Sequence, residues 1–339
     1  MADTVLLTGI TGFLGGHLAR ELLTQGYHVR GSLRNPARAD AVRQALTGAG
    51  TDISRLDFVT LDLMRDEGWA KAAEGARFVI HSASPFVTTM PKDPDDLIRP
   101  AVRGTERALT AAMAAGVERV VMTSSTAAIV YGRGRNGPKQ LGPEDWSDSS
   151  PAGKLTAYTR SKTLAELRAW EMVKSQENRL AVVNPGFIIG PLLDDDPGTS
   201  GALVQRFLRG QVPIAPNLVL ACVDVRDVAR IHVAAMTAPE AGGRRHLSVF
   251  GDATIKEFGQ IIARVRPEFA RKMPKIGAPD WFIRLYALFD GDMRANVSEL
   301  SYRPVLDSSR AKALLGRAPL RLDESVGAMV DSLVSRGLV

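Results

Sequence analysis

The chain has 339 residues, 45% apolar and 24% charged, with a formal net charge of +6, as expected for a globular protein of one large domain or two coupled ones. That charge is too mild for a nucleic-acid-binding tail without lysine or arginine runs, no apolar run spans a bilayer, and no basic leader precedes "TVLLTG". The single cysteine, Cys222, excludes an intrachain disulfide and fits a cytoplasmic location, and the five scattered histidines lack metal-ligand spacing, so no metal site is expected.

In chain order, "TVLL" (4–7) reads as a strand and 12–25 as a helix with Leu14, Leu18 and Leu22 on one face. "HVRGSL" (28–33) is a second strand, and Pro36 opens a helix running towards Gly48. "LDFVTL" (56–61), "RFVIHS" (77–82) and "RVVMTS" (119–124) are further strands, with a long helix at 96–115 stopped by Gly116. A helix at 156–175 leads into "LAVVN" (180–184). Continuous apolar runs mark parallel strands buried on both faces, and their alternation with helices gives right-handed βαβ units. The expected fold is α/β, a Rossmann-type doubly wound parallel sheet over 1–184. After Pro185 proline and glycine become frequent, and helices such as 255–265 and 323–336 are separated by irregular loops. Residues 185–218 and 239–339 therefore read as a smaller substrate-binding domain. "VDVRDVARIHVAAM", within 219–238, is expected to return one strand and one helix to the main sheet.

"TGITGFLGG" (8–16) sits between the first strand and the first helix. Gly9 turns the chain sharply, Gly12 leaves room for a pyrophosphate, and Gly15 lets the helix pack close to the sheet. The helix N-terminus offers free N–H groups and the positive end of its dipole. No Gly-Lys-Ser/Thr follows, which excludes a P-loop, and the spacing is GxxGxxG rather than GxGxxG. The dinucleotide site expected here takes in Gly9, Thr11, Gly12, Phe13, Leu14 and Gly15.

An acid at the end of the second strand would select NAD by gripping the ribose 2′-hydroxyl. Here that stretch reads "GSLRNPAR", with no acid between Glu21 and Asp40 and with Arg34 and Arg38 in its place. Guanidinium groups complement a 2′-phosphate, so the expected cofactor is NADP(H). Asp62, ending the third strand beside Leu63, either meets the adenine edge or caps a loop.

"YTRSK" places Tyr158 and Lys162 four residues apart, on one helix face. A nearby ammonium stabilises a phenolate and lowers the phenol pKa, so the pair can pass a proton to or from a carbonyl oxygen. "RVVMTSS" ends a parallel strand in Ser124 and Ser125, where polar side chains face the ligand crevice or simply begin a loop. The acidic turn "LLDDDPG" (192–198) reads as a solvent loop, with cation binding as the alternative, and "GRGRNG" (132–137) as a mobile loop or a surface turn.

Together "TGITGFLGGHLARELLTQGYHVRGSLRNP", "VIHSASPF", "VVMTSSTAAIVYG", "AYTRSKTLAELRAW", "NPGFIIGP" and "VDVRDVARIHVAAM" resemble the extended short-chain dehydrogenase/reductase superfamily. More narrowly, the chain is similar to its dihydroflavonol 4-reductase-like group of aldehyde and ketone reductases. The resemblance implies Tyr158 as general acid, Lys162 as its pKa partner and ribose ligand, and Ser125, last of the TSS run, as carbonyl orienter. It also places Ala83 and Ser84 beside the cofactor, and Pro185 to Ile188 against the nicotinamide. It implies an NADP(H)-dependent oxidoreductase acting on a small carbonyl or alcohol, as a monomer or homodimer.

The flavonoid enzymes read "TSSAGTVN", and their asparagine falls here at about Val130, which argues against a dihydroflavonol substrate. The pocket is expected to be apolar, with Phe86 and Phe187 lining it and "WFIRLYALF" (281–289) either joining them or, as expected for most of it, forming a buried helix face. Two alternatives stay open. A nucleotide-sugar epimerase or dehydratase would carry an acid at the second strand's end, and dehydratases an acidic pair after the serine, where Thr126 and Ala127 stand. A non-catalytic NADP(H)-sensing protein would be expected to lose the Tyr-Lys pair.

Overall fold

A computed structural model describes residues 2–85, 93–134, 136–150, 153, 155–289, 294 and 296–339. The strands are β1 (Thr4–Thr8), β2 (His28–Leu33), β3 (Leu56–Thr60), β4 (Phe78–His81), β5 (Arg119–Thr123), β6 (Gln140–Leu141), β7 (Leu180–Pro185), β8 (Phe187–Ile189), β9 (Ile214–Ala215), β10 (Val219–Asp224), β11 (Arg244–Ser248), β12 (Gly251–Thr254), β13 (Ile276–Gly277) and β14 (Val305–Leu306). The helices are α1 (Phe13–Thr24), α2 (Ala39–Gly48), α3 (Trp69–Ala73), α4 (Asp95–Ala114), α5 (Ala157–Met172), α6 (Gly198–Leu208), α7 (Val225–Thr237), α8 (Ile255–Val265), α9 (Asp280–Tyr286), α10 (Ser309–Leu315) and α11 (Leu322–Ser335).

Seven parallel strands form the main sheet in the order β11-β7-β5-β4-β1-β2-β3. Successive side chains of a strand face opposite ways, and here both ways lead to apolar cores. Val5 and Leu7 of β1, Phe78 and Ile80 of β4 and Val121 of β5 join Leu14, Leu18 and Leu22 of α1 and Val228 of α7. Leu6, Val79, Val120 and Met122 point the other way, into a core with Trp69, Leu109, Ala112 and Ala169 from α3, α4 and α5. This alternation is why the sequence shows unbroken apolar runs. It also fixes α1 and α7 on one face and α4 and α5 on the other.

A smaller unit is built on the sheet β12-β10-β8 and a third core that includes Phe207, Phe258, Ile262 and Leu333. The chain passes between the two sheets at Gly186, where a Cβ would lie 2.0 Å from the Ala221 carbonyl oxygen. Only a glycine lets β7 leave the main sheet and continue as β8 beside β10.

The expected return of 219–238 to the main sheet divides. Helix α7 does lie on it, but strand β10 pairs with β8 and β12. The strand that returns is β11, from the stretch assigned to the smaller domain. The sequence of β11, "RRHLS", hides it, because Arg245 and His246 break the apolar run. Both are buried: Arg245 pairs with Glu166, and His246 Nε2 donates to the Ala241 carbonyl at 3.1 Å while its Nδ1 has no partner among the described residues.

Three further histidines are buried in neutral form. His232 Nδ1 donates to the Val228 carbonyl at 2.8 Å, so its Nε2 accepts from Thr123 Oγ1 at 2.8 Å. His17 Nε2 donates to the Pro191 carbonyl at 2.9 Å, and His81 Nδ1 meets Thr8 Oγ1 at 2.9 Å. Burial lowers the pKa of all three to about 4. The unfolded chain takes up these protons near pH 6.5, ahead of the folded one. Stability from these rings is therefore full above pH 6.5 and lost as pH falls towards 4, on the order of 3 kcal/mol for each ring. Denaturant midpoints measured between pH 7 and 4 are expected to fall steadily across that window.

Candidate active site

The glycine loop is shaped by close backbone contacts. Gly9 has a φ of +77°, and a Cβ there would lie 2.8 Å from Ala83 Cα. A Cβ on Gly15 would lie 2.0 Å from the Gly9 carbonyl oxygen. Gly12 differs: a Cβ would meet nothing nearer than that oxygen at 3.5 Å, so the protein leaves the space beside it free. Gly12 is also the N-cap of α1 and makes no side-chain cap hydrogen bond, which leaves the first-turn N–H groups available for an anion. An open, uncapped helix start beside two crowded glycines fits a dinucleotide pyrophosphate. The Thr8 hydroxyl accepts from Ala83 N at 3.1 Å and is hydrogen-bonded to His81 Nδ1 at 2.9 Å, tying the ends of β1 and β4 together beside the loop.

Arg34 and Arg38 are exposed past the end of β2, on a turn capped by Asn35, whose side chain accepts from Ala37 N at 3.1 Å. Asp62 Oδ1 accepts from Met64 N at 2.8 Å, which commits that oxygen to its own turn. The acidic turn is more than a solvent loop. Leu193 and Asp194 face Ile10, Thr11, Gly12 and Phe13 across a narrow cleft, and Asp194 lies 4.0 Å from Arg38. Burial raises the Asp194 pKa. Its carboxylate would oppose a pyrophosphate held on the loop and would compete with a phosphate for Arg38. Asp194→Asn is expected to tighten NADPH binding by about 2–5-fold, read as Kd by fluorescence titration.

At the end of β5 the two serines differ. Ser124 Oγ donates to Glu166 Oε2 at 2.5 Å and is buried. Ser125 Oγ accepts from Ala127 N at 3.1 Å, and its hydroxyl proton is free to be turned towards Tyr158, whose phenol pKa it lowers. Thr156 caps α5 by accepting from Thr159 N at 3.1 Å, which starts the helix just before Tyr158. Tyr158 keeps 38% of its surface accessible, and Lys162 Nζ lies 6.0 Å from its ring centroid. The phenol pKa is raised, by the low-dielectric surroundings first, with the Ser125 bond acting against them. The sequence-based expectation was a lowering by Lys162; the group that opposes desolvation here is Ser125 instead. Burial brings Lys162 itself down to about 8, opposed by the Glu166 carboxylate.

Beyond Gly186, Ile188 pairs with Val223, and Phe187 sets its ring edge-to-face on Phe258, 6.3 Å away. Phe187 thus packs in part on the third core. The stretch 281–289 is not a buried face: Trp281 is 68% and Phe289 84% exposed, and Ile283 carries the helix's packing with Ala278 and Leu300. Phe86 lies outside the described residues. Arg133 of the 132–137 loop is anchored on the Trp146 carbonyl at 2.6 Å, and Arg135 also lies outside the described residues.

Sequence reasoning missed Tyr131 and Glu299. Burial pushes the Tyr131 phenol up to about 12, and it faces both Tyr158 and Glu299. Glu299 accepts from Ser298 Oγ at 3.0 Å and from the Gly132 N–H. The signal was a tyrosine six residues after Ser125; Glu299, far along the chain, gave none.

A crevice at the carboxyl ends of parallel strands, with a phenol and an amine one helical turn apart beside a dinucleotide-type loop, defines the class: an extended short-chain dehydrogenase/reductase. Within that class the chain belongs to the NAD dependent epimerase/dehydratase family, whose model matches residues 5–250. It is 37% identical to cinnamoyl-CoA reductase 1 of Oryza sativa subsp. japonica over 269 residues, 79% of this chain and 76% of that one. It is 33% identical to cinnamoyl-CoA reductase CAD2 of Medicago truncatula over 338 residues, 98% and 96% of the two chains. The solved structure of yeast methylglyoxal/isovaleraldehyde reductase Gre2 complexed with NADPH matches with a TM-score of 0.78 at 26% identity, over 99% of this chain and 100% of that one. No helix among the described residues is long and apolar enough to cross a membrane.

Proposed function

We propose that the protein is an NADP(H)-dependent oxidoreductase that interconverts a small aldehyde or ketone and its alcohol. The observation that carries this reading is the meeting of Ser125, Tyr158 and Lys162 at the crevice beside the glycine loop. The reductases it resembles, one of them solved with NADPH, support it. Gly9, Thr11, Gly12, Phe13, Leu14 and Gly15 would hold the pyrophosphate, Arg34 and Arg38 the 2′-phosphate, and Asp62 and Leu63 the adenine end. Ala83, Ser84, Pro185 and Ile188 would flank the nicotinamide side. When bound, NADPH supplies the hydride.

Tyr158 is protonated at neutral pH, as any phenol with a pKa at or above the ordinary value is, and gives that proton to the carbonyl oxygen. Ser125 holds the same oxygen by a hydrogen bond. Lys162, as an ammonium, stabilises the phenolate left behind. Val130 packs against the cluster of Ile129, Leu141, Leu247 and Tyr302, so a polar handle for a flavonoid ring is missing there. Tyr131 and Glu299, whose charges reach one another, offer one instead. The reading includes a cytoplasmic enzyme, monomeric or homodimeric.

The epimerase or dehydratase reading conflicts with Arg34 at the end of β2 and with Thr126 and Ala127 after Ser125. The test is NADPH consumption against aldehydes, ketones, 2-oxo esters and dihydroflavonols, with NADH beside it. Turnover of at least one carbonyl with NADPH preferred is expected. Tightly held NAD in the purified protein and no carbonyl turnover would overturn the reading.

A further inference from the structure

Glu166 follows Lys162 by one turn of α5 and Tyr158 by two, and it is fully buried. Its carboxylate is engaged from several elements at once. Oε2 accepts from Ser124 Oγ at 2.5 Å, from Asn184 Nδ2 at 2.8 Å and from Arg245 Nη2 at 3.3 Å. Oε1 accepts from Arg245 Nε at 2.5 Å and from Trp170 Nε1 at 3.3 Å. Ser124 directly follows β5, Asn184 lies near the carboxyl end of β7, and Arg245 lies near the start of β11; the three strands are neighbours in the main sheet. Asn184 Nδ2 also reaches the Ser125 carbonyl at 3.3 Å. Arg245, with 6% of its side chain exposed, continues to the Pro143 carbonyl at 2.8 Å and lies 3.8 Å over the Trp146 ring.

A buried ion pair seldom adds net stability over apolar residues of the same volume. This one therefore needs another reason to be where it is, and its place supplies one. It joins the helix bearing Tyr158 and Lys162 to the strand end bearing Ser125.

We propose that Glu166 is a positioning residue: through Ser124, Asn184 and Arg245 it fixes Ser125 against Tyr158, and from one turn further along α5 its charge supports the Lys162 ammonium. The proposal rests on the reductase reading. The groups facing Lys162 agree with it. Tyr158 and Glu166 lie on its own helix, and neutral His81 faces it from β4. Arg245, the cation from β11, holds the same carboxylate at 2.5 Å, so the Glu166 charge is shared between the two cations. Burial depresses the Lys162 pKa and Glu166 holds it up, so removing the negative charge leaves the ammonium unsupported.

The test compares E166Q, which keeps the shape and loses the charge, with E166D, which keeps the charge. The first readout needs neither cofactor nor turnover. Acetic anhydride labels unprotonated amines, and mass spectrometry of the Lys162 peptide across pH gives its titration midpoint. In E166Q that midpoint is expected about one pH unit lower, and in E166D close to wild type. The second readout is kcat against pH with NADPH and a carbonyl that the wild type reduces. Its alkaline limb is expected to move down with the labelling midpoint, and kcat to fall about 10-fold or more, with KM for NADPH within about 3-fold. A labelling midpoint and an alkaline limb unmoved in folded E166Q overturn the proposal, even where kcat is lower. Where E166Q does not fold, Ser124→Ala decides: it removes one donor and keeps the charge. A fall in kcat of about 3–10-fold with the Lys162 midpoint unmoved is expected, and an unchanged kcat overturns the proposal. A wild type that reduces no carbonyl counts against the reductase reading alone, because the labelling result stands without it.

Discussion

Tyr158→Phe is expected to lower kcat for carbonyl reduction by about 10²–10⁴-fold and to leave the Kd for NADPH within about 3-fold. The substitution keeps the ring, so the contact with Lys162 Nζ at 6.0 Å and the start of α5 capped by Thr156 both survive. What is lost is the hydroxyl that hydrogen-bonds Ser125 and carries the transferable proton. Steady-state rates and a fluorescence titration of NADPH separate the two effects, and a variant with full turnover would refute the mechanism. The pH profile of the wild type adds a second check. The phenol pKa is raised, so it does not set the alkaline limit. The Lys162 ammonium, brought down to about 8, is lost first. Activity in the reductive direction is therefore expected to decline as pH rises through about 8, at a limb that belongs to the lysine.

What was legible in the sequence was what depends on near neighbours. Strands β1, β4, β5 and β7 are buried on both faces, so their apolar runs stand out, and the Tyr158–Lys162 spacing is a property of a single helix. The glycine loop was legible for the same reason, since Gly9 and Gly15 crowd one another within a few residues. What was not legible depends on partners far along the chain. Arg245 makes β11 look like a surface strand until Glu166, 79 residues earlier, is brought to it. Glu166 in turn reads as an ordinary helix carboxylate beside Leu167 and Leu164. Asp194 meets Arg38 only because the turn after β8 folds across α1. Aromatic density misled at 281–289, where burial was expected from composition and Trp281 and Phe289 are largely exposed.

Replacing Arg34 and Arg38 together by alanine is expected to weaken NADPH binding by about 10–100-fold and to change NADH binding by less than about 3-fold. A hydrogen bond to a charged group contributes about 1.5–3 kcal/mol, and only NADPH carries the 2′-phosphate that would receive it. Both guanidiniums are exposed, so solvent screens them and the loss should shrink as salt is raised. Arg34 has no ion-pair partner among the described residues, whereas Arg38 has Asp194 at a loose 4.0 Å. The two arginines should therefore not be equivalent. Binding by Arg38 requires giving up Asp194, so Arg34→Ala alone should be the more damaging of the single changes. This makes the Asp194 effect conditional. If the carboxylate acts through Arg38, Asp194→Asn tightens NADPH in the wild type and does little once Arg38 is alanine, a coupling that a double-mutant cycle reads directly. If the tightening persists without Arg38, the carboxylate acts on the pyrophosphate across the cleft instead. If NADPH and NADH weaken equally in the double-arginine variant, the 2′-phosphate is bound elsewhere.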